Sequence, residues 1–112
     1  MQGNVSILAK GFTAAGTLAQ FQPVQATGVA AVAAGNAIGS ANVGAVSGDS
    51  YSATVMGTAL FVAGAAIAVG ALVEVHTTVT QVVTKSAGVA IGRALNAASG
   101  AGDFVEVLLI PN

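Results

Sequence analysis

The chain has 112 residues, of which 54% are hydrophobic and only 6% are charged, and it contains no cysteine. This length supports a single domain. A net charge of -1 lacks the clustered Lys and Arg that nucleic acid requires, and the absence of Cys excludes disulfides and thiolate zinc sites. So few charged residues cannot cover the surface of a lone domain, so we expect neighbouring proteins to cover much of it.

Residues 1–25 are predicted to form an extended N-terminal arm. Polar residues are mixed irregularly with large apolar ones, a pattern that fits neither a helix face nor a strand. Phe12, Leu18 and Phe21 are large apolar residues on a segment with no evident core of its own, so we predict that they contact another protein subunit. A frayed terminus is the alternative. The only basic residue of the segment, Lys10, follows the first apolar cluster, so a secretion signal is not expected.

Residues 26–112 are predicted to form a single β domain. Within them Gly28–Ile38, GVAAVAAGNAI, matches Gly57–Ile67, GTALFVAGAAI, at six of eleven positions. The match indicates either a duplicated hairpin or a coincidence in a chain rich in Ala and Gly.

The stretch Ala53–Val73, ATVMGTALFVAGAAIAVGALV, is uncharged and long enough to cross a bilayer as a helix. No Lys or Arg flanks it, although basic anchors are typical of membrane spans. Because alternation typical of a strand begins within its end, we predict two strands instead, Thr58–Val62 and Ile67–Val75, joined at residues 63–65. A transmembrane helix is the alternative.

The next segment, Val73–Thr84, VEVHTTVTQVVT, is rich in β-branched residues, and apolar and polar residues alternate along its first part. We predict one strand with Val73, Val75 and Val79 on its buried face and with Glu74 and His76 on its polar face.

The last strand is predicted at Phe104–Ile110, FVEVLLI, before Pro111 and after a turn at Ser99–Asp103. Part of Gly88–Asn96 can form another. Strands and turns at this spacing are typical of an all-β fold, a small β-barrel or a sandwich of short strands.

The titratable residues do not form a recognisable active site. His76 is the only histidine, and its place beside Glu74 favours an exposed surface pair over a catalytic dyad. Asp49 and Asp103 lie in turn sequences, where Asp bonds its own backbone. No Ser occupies a nucleophile elbow, and one His without Cys makes a poor zinc site. We therefore expect neither enzymatic activity nor a cofactor or metal, and we expect the chain to act by assembly.

Two C-terminal segments carry a family resemblance: VAGAAIAVGALVEV, residues 62–75, and VTQVVTKSAGVAIGRALNAASGAGDFVEVLL, residues 79–109. They resemble the small head decoration proteins of tailed bacteriophages, also called capsid cement proteins. The matching positions are Ala65-Ala66-Ile67 with Gly70, Val82-Val83-Thr84, Ile91 to Ser99, Gly102-Asp103, Val107 and Leu109. The chain departs from the family at Ala71, where Asp is common, and at Thr77-Thr78, where Asp-Gly is usual.

The resemblance implies a β-rich virion protein, commonly a homotrimer, on the outer surface of the phage head, where it bridges subunits of the major capsid protein. On this interpretation Phe12, Leu18 and Phe21 are candidate contacts with the capsid or with other subunits, and neither nucleic acid nor a membrane is a partner. Two alternatives remain open. One is a small holin-like membrane protein that spans at Ala53–Val73, with Gly28–Val46 as a possible second span. The other is a self-assembling tail or fibre component.

Overall fold

The computed structural model describes residues 5–110, with side chains from Leu8 onwards. Every regular element in this part of the chain is a β-strand, which confirms the predicted all-β fold. The strands are β1 (Val5–Thr13), β2 (Pro23–Val24), β3 (Gly39–Ala41), β4 (Ser50–Ala63), β5 (Leu72–Val75), β6 (Gln81–Thr84), β7 (Gly92–Ala94) and β8 (Phe104–Leu109).

The C-terminal half of β4 and the four strands that follow it close into a small barrel. The order around the barrel is β4, β6, β5, β7, β8 and back to β4. The β4–β6 pair is parallel, and the other pairs are antiparallel. Closure protects strand edges that would otherwise stay open. Inward side chains fill the interior, including the fully buried Phe61, Val73, Val82 and Val105.

The N-terminal half of β4 belongs to a curled sheet that does not close. β1 pairs with one edge of β4, β3 pairs with the other edge, and β2 pairs with β3. Among residues 5–110 no ladder joins β1 to β2. A separate cluster fills the concave side of this sheet and includes Leu18, Val24 and Tyr51.

These two halves are an internal repeat that shares β4. We call β1–β3 with the N-terminal half of β4 the first unit, and the C-terminal half of β4 with β5–β8 the second unit. Four residue pairs of the first unit have an equivalent pair in the second unit. Phe12–Tyr51 corresponds to Phe61–Val105, Val24–Gly39 to Val73–Gly92, Leu18–Ala45 to Ile67–Ala98, and Ala41–Ala53 to Ala94–Val107. The repeat therefore extends to the register of each pairing.

The core follows the repeat position by position. The equivalent buried residues are Ala14 and Ala63, Leu18 and Ile67, Val24 and Val73, Ala41 and Ala94, Ala45 and Ala98, Tyr51 and Val105, and Ala53 and Val107. Gly39 and Gly92 are also equivalent, since a Cβ on either would overlap the backbone carbonyl of the neighbouring strand, at Thr54 and Leu108 respectively. The interpretation of Gly28–Ile38 and Gly57–Ile67 as a duplicated hairpin is wrong, because the first segment is mostly irregular and the second begins inside β4, so the sequence match is a coincidence.

The units differ in one hairpin. In the second unit, Val73 pairs with Thr84 across residues 74–83, which is long enough to place β6 beside β4. In the first unit, the equivalent Val24 bridges Ala30 across residues 25–29, which form a tight turn. Within residues 5–110 the first unit consequently has no counterpart of β6 and forms a half-barrel.

Three sequence-based expectations need correction. Val73–Thr84 is a hairpin of β5 and β6, since the β-branched run turns at exposed Thr77-Thr78. The strand predicted at Ile67–Val75 begins only at Leu72, because the preceding residues form a turn. Thr58–Val62 lies within the longer β4, and the strand predicted at Phe104–Ile110 is confirmed as β8.

The helical interpretation of Ala53–Val73 is wrong. These residues form most of β4, a turn and the start of β5. Within residues 5–110 the chain has no helix with the length and apolar character needed to cross a membrane.

Candidate interaction surfaces

The three predicted contact residues lie in different environments. Phe12 is half-buried on the concave side of the first unit, with its ring 5.9 Å from that of Tyr51. Leu18 is 4% exposed and belongs to the core of the first unit, so the assumption that this segment lacks a core is wrong for Leu18. Phe21 is half-buried with a φ of 65°, and it meets Phe104 edge to face at 5.6 Å. Contact of these residues with another subunit stays a prediction.

The segment predicted as an arm is paired with its own chain over much of its length. β1 runs along β4 from Val5 opposite Thr58 to Thr13 opposite Ser50, and Pro23–Val24 form β2. The amphipathic signal was weak because β1 is exposed on both faces between Leu8 and Gly11. Its equivalent in β4, by contrast, is buried from Ala59 to Phe61.

The first candidate surface is the half-barrel opening, which we define by Lys10, Phe12, Ala30 and Val55. Lys10 lies opposite the buried Ala53, and its Nζ is 5.1 Å from the centre of the Phe12 ring. Phe12, Ala30 and Val55 are partly buried against the core of the first unit. The opening therefore exposes apolar surface and one cation where the second unit has a sealed interior.

The second candidate surface is the outer face of β4 and β8. Side chains at alternate positions of these strands point away from the barrel interior. Leu108 lies opposite Thr58, Phe104 lies opposite Val62, and Leu8 lies opposite Met56. The exposed apolar residues of this outer face are Met56 (52% exposed), Phe104 (40%) and Leu108 (43%), and it is bordered by Leu8 of β1 (49%) and by Leu95 just after β7 (37%). The centre of this face, where Leu60 lies opposite Glu106, is buried, so the exposed apolar side chains lie toward its two ends. Groups of exposed apolar side chains typically mark interaction sites.

Sequence reasoning missed this outer face, although a signal for it existed. Phe104–Leu109 is apolar at both odd and even positions except for Glu106. A strand whose two faces are both apolar must be covered on both faces. One face lies in the barrel interior, and Phe104 and Leu108 on the other face remain 40% and 43% exposed.

Glu106 is embedded within the outer face without disrupting it. It is 6% exposed, and its carboxylate accepts a hydrogen bond of 2.6 Å from Thr58 Oγ1. The Asn96 side chain accepts from the Glu106 amide at 2.7 Å and donates to the Phe104 carbonyl at 3.4 Å. The side-chain amide of Asn96 thereby makes the hydrogen bonds to β8 that a neighbouring strand would otherwise make.

Glu74 and His76 both have structural partners. Glu74 is buried, and its carboxylate accepts hydrogen bonds from the amides of Ser86 and Gly88, so the predicted exposed pair with His76 is wrong. His76 Nδ1 accepts from the Thr78 amide at 3.1 Å. No cluster of three or more His, Cys, Asp or Glu occurs in residues 5–110.

The pKa values of Tyr51 and Asp103 are shifted for structural reasons. Burial raises the pKa of Tyr51, whose hydroxyl donates a hydrogen bond to the Gly28 carbonyl. Hydrogen bonds from the Ser99 hydroxyl and then from its backbone amide lower the pKa of Asp103, with a smaller contribution from the Gly100 amide. Both groups fix turns, and neither shift creates an acid–base pair.

Comparison with known proteins gives a match in structure but none in sequence. No protein-family model matches the chain, and no curated protein matches its sequence. The fold is similar to the crystal structure of the head fiber gp8.5 N base of bacteriophage phi29, with a TM-score of 0.75 and 15% sequence identity. The similarity covers 92% of this chain and 93% of the phi29 chain. At this identity the likeness shows the fold, and it agrees with the resemblance to phage head proteins found in the sequence.

Proposed function

We propose that this chain is a structural protein of a tailed-phage head, of the decoration or cement type, and that it has no enzymatic activity. The observation that carries the proposal is the fold shared with the phi29 head fiber base over nearly the whole of both chains. The family resemblance of residues 62–75 and 79–109 supports the same assignment independently. The outer face, which is apolar and nearly uncharged, supplies the kind of surface that assembly requires.

The proposed partners are other copies of the chain, as a homotrimer, and the major capsid protein on the outer surface of the head. Apolar side chains such as Leu108 and Met56 would be covered on assembly, with a gain of about 25 cal/mol per Å² before the costs of association are subtracted. Because only 6% of the residues are charged, binding is expected to depend weakly on salt.

The test is a measurement of mass followed by binding. The mass of the purified chain reports whether it is a monomer or a trimer, and co-sedimentation with undecorated, expanded heads of its own phage reports capsid binding. A trimer that binds at a copy number close to that of the major capsid protein is the expected result. A monomer without affinity for any form of the head would contradict the proposal.

Leu108→Asp places a charge in the outer face and is expected to weaken self-association at least about tenfold, since a charge buried at an interface without a partner is strongly unfavourable. Val32→Asp is the matched control, because Val32 is 59% exposed and lies outside β4 and β8. Equal effects of the two substitutions would exclude the outer face as the interface between subunits.

A second candidate is a fibre component, favoured by the name of the phi29 protein, a head fiber base. The number of copies in purified virions separates the two functions. A copy number near that of the major capsid protein indicates a decoration protein, whereas a few copies per virion indicate a fibre.

A further inference from the structure

We propose that the half-barrel opening of the first unit accepts an extended segment of the major capsid protein, which adds to β1 as a parallel strand. This inference rests on the proposed function and specifies the binding mode. The second unit shows the completed form of the same architecture, because there β6 runs parallel to the end of β4 and seals the barrel.

The backbone of β1 has the hydrogen-bonding groups that such a strand requires. The amide of Ala14 donates to the Asp49 carbonyl, and the Ala14 carbonyl accepts from the Gly48 amide, so both groups of Ala14 point toward the side of β4. Because successive residues of a strand point their backbone groups to alternate sides, the N–H and C=O groups of Gly11 and Thr13 point away from β4. No other strand of residues 5–110 pairs with this edge.

The equivalent edge in the second unit is occupied. Thr13 corresponds to Val62, which pairs with Gln81 of β6. The next residue of β6, Val82, is fully buried in the barrel. The internal repeat therefore defines the missing strand as short, parallel to β1 and provided with an inward β-branched side chain.

Side chains in the opening are exposed where their equivalents in the second unit are covered. Phe12 is half-buried, whereas the equivalent Phe61 is fully buried. Lys10 is exposed, whereas the equivalent Ala59 is fully buried. An apolar side chain of the added strand would cover the Phe12 ring, and a carboxylate beside it would pair with Lys10.

The charges of the chain favour a different protein over a second copy as the donor of this strand. Each of the four carboxylates already accepts hydrogen bonds within its own chain: Asp49 from Val46, Glu74 from Ser86 and Gly88, Asp103 from Ser99, and Glu106 from Thr58. Glu74 and Glu106 lie in strands that are paired on both edges, and Asp49 and Asp103 lie at turns. A second copy thus has no side-chain carboxylate on a free extended segment to place beside Lys10. The donor is therefore an extended, β-branched, acidic segment of the shell protein.

Thr13→Pro tests the backbone pairing, and Thr13→Val is its matched control. Proline is tolerated on an edge strand where the N–H faces solvent, so the variant should keep the circular dichroism spectrum and the self-association of the wild type. Loss of the edge donor and the bulk of the ring should weaken binding to undecorated heads at least about tenfold, whereas the valine variant should bind normally. Wild-type affinity in a folded Thr13→Pro variant would overturn the inference.

Hydrogen exchange supplies a second measurement that needs no variant. The amides of Gly11 and Thr13 should exchange rapidly in the free protein and slowly on the head. Protection confined to other segments would contradict the addition of a strand to β1.

The charge of Lys10 is tested separately by two substitutions. Lys10→Glu should weaken binding to the head more than Lys10→Gln does. Tighter binding by Lys10→Gln would show that Lys10 only keeps this strand edge unpaired. If the wild type fails to bind heads at all, the proposed function fails, whereas binding without protection of β1 refutes only the strand addition.

Discussion

The internal repeat makes a quantitative comparison possible between two phenylalanines in equivalent positions. Phe61 is fully buried in the closed barrel, so Phe61→Ala should lower the free energy of unfolding by about 3–5 kcal/mol, as expected for loss of a buried aromatic ring and formation of a cavity. Phe12 occupies the same position of the half-barrel and is only half-buried, so Phe12→Ala should lower it by roughly half as much, about 1.5–2.5 kcal/mol.

Urea denaturation followed by circular dichroism measures both changes, with all variants at one protein concentration because self-association adds to apparent stability. Equal losses for the two substitutions would mean that the first unit is as closed in solution as the second. A loss below about 1 kcal/mol for Phe61→Ala would refute the packing of the barrel core itself.

Three further predictions concern the turns and close contacts. Gly92→Ala should destabilise the chain by about 1–3 kcal/mol in thermal unfolding, because the new Cβ would overlap the backbone carbonyl of Leu108. Gly16→Ala is the control: a Cβ there meets open space, so stability should change by less than about 0.5 kcal/mol. Tyr51→Phe should cost about 1–3 kcal/mol in urea denaturation, since it leaves a buried carbonyl without its donor, and ultraviolet titration of the wild type should place the tyrosine pKa above 10.0. The pKa of Asp103 is lowered in the folded state, so the stability that its carboxylate contributes is complete above the ordinary pKa of 3.8 and disappears as the pH falls through the lowered pKa. Asp103→Asn should remove this component from the profile of melting temperature against pH. An unchanged profile would show that the hydrogen bonds from Ser99 add no stability.

The strongest local patterns predicted their elements correctly. Phe104–Leu109 is a strand because its residues are apolar and β-branched and because a Gly-Asp turn precedes it. The same reasoning failed at Val73–Thr84, where the alternation continues through a hairpin. A hairpin preserves the alternation of side chains on both of its strands, so the pattern could not reveal that the chain reverses at Thr77-Thr78.

The repeat escaped sequence reasoning because it is conserved in hydrogen bonding and burial and only weakly in residue type. Leu18 and Ile67 occupy one position, and Tyr51 and Val105 occupy another. Phe21 and Gly70 both adopt a positive φ at equivalent turns. In a sequence, glycine indicates such a turn, whereas phenylalanine does not.

The placement of the predicted contact residues also depended on tertiary structure. Leu18 looks unattached along the chain, but its backbone bonds to Ala45 bring it into a core formed by residues that are distant in sequence. In the sequence, Phe12 is a large apolar residue on a segment with no evident core. Its significance comes from the comparison with Phe61, which shows what covers the same position when the barrel is complete.

The sequence by itself determined that this protein is built from strands, because its β-branched and apolar residues are arranged in short runs separated by turns. Its 6% of charged residues also predicts that other proteins cover part of its surface. Only the tertiary structure decided which surfaces are left open. A hairpin that differs by a few residues between two otherwise equivalent units closes one barrel and leaves the other incomplete, and that difference becomes visible only when the partners of each strand are known.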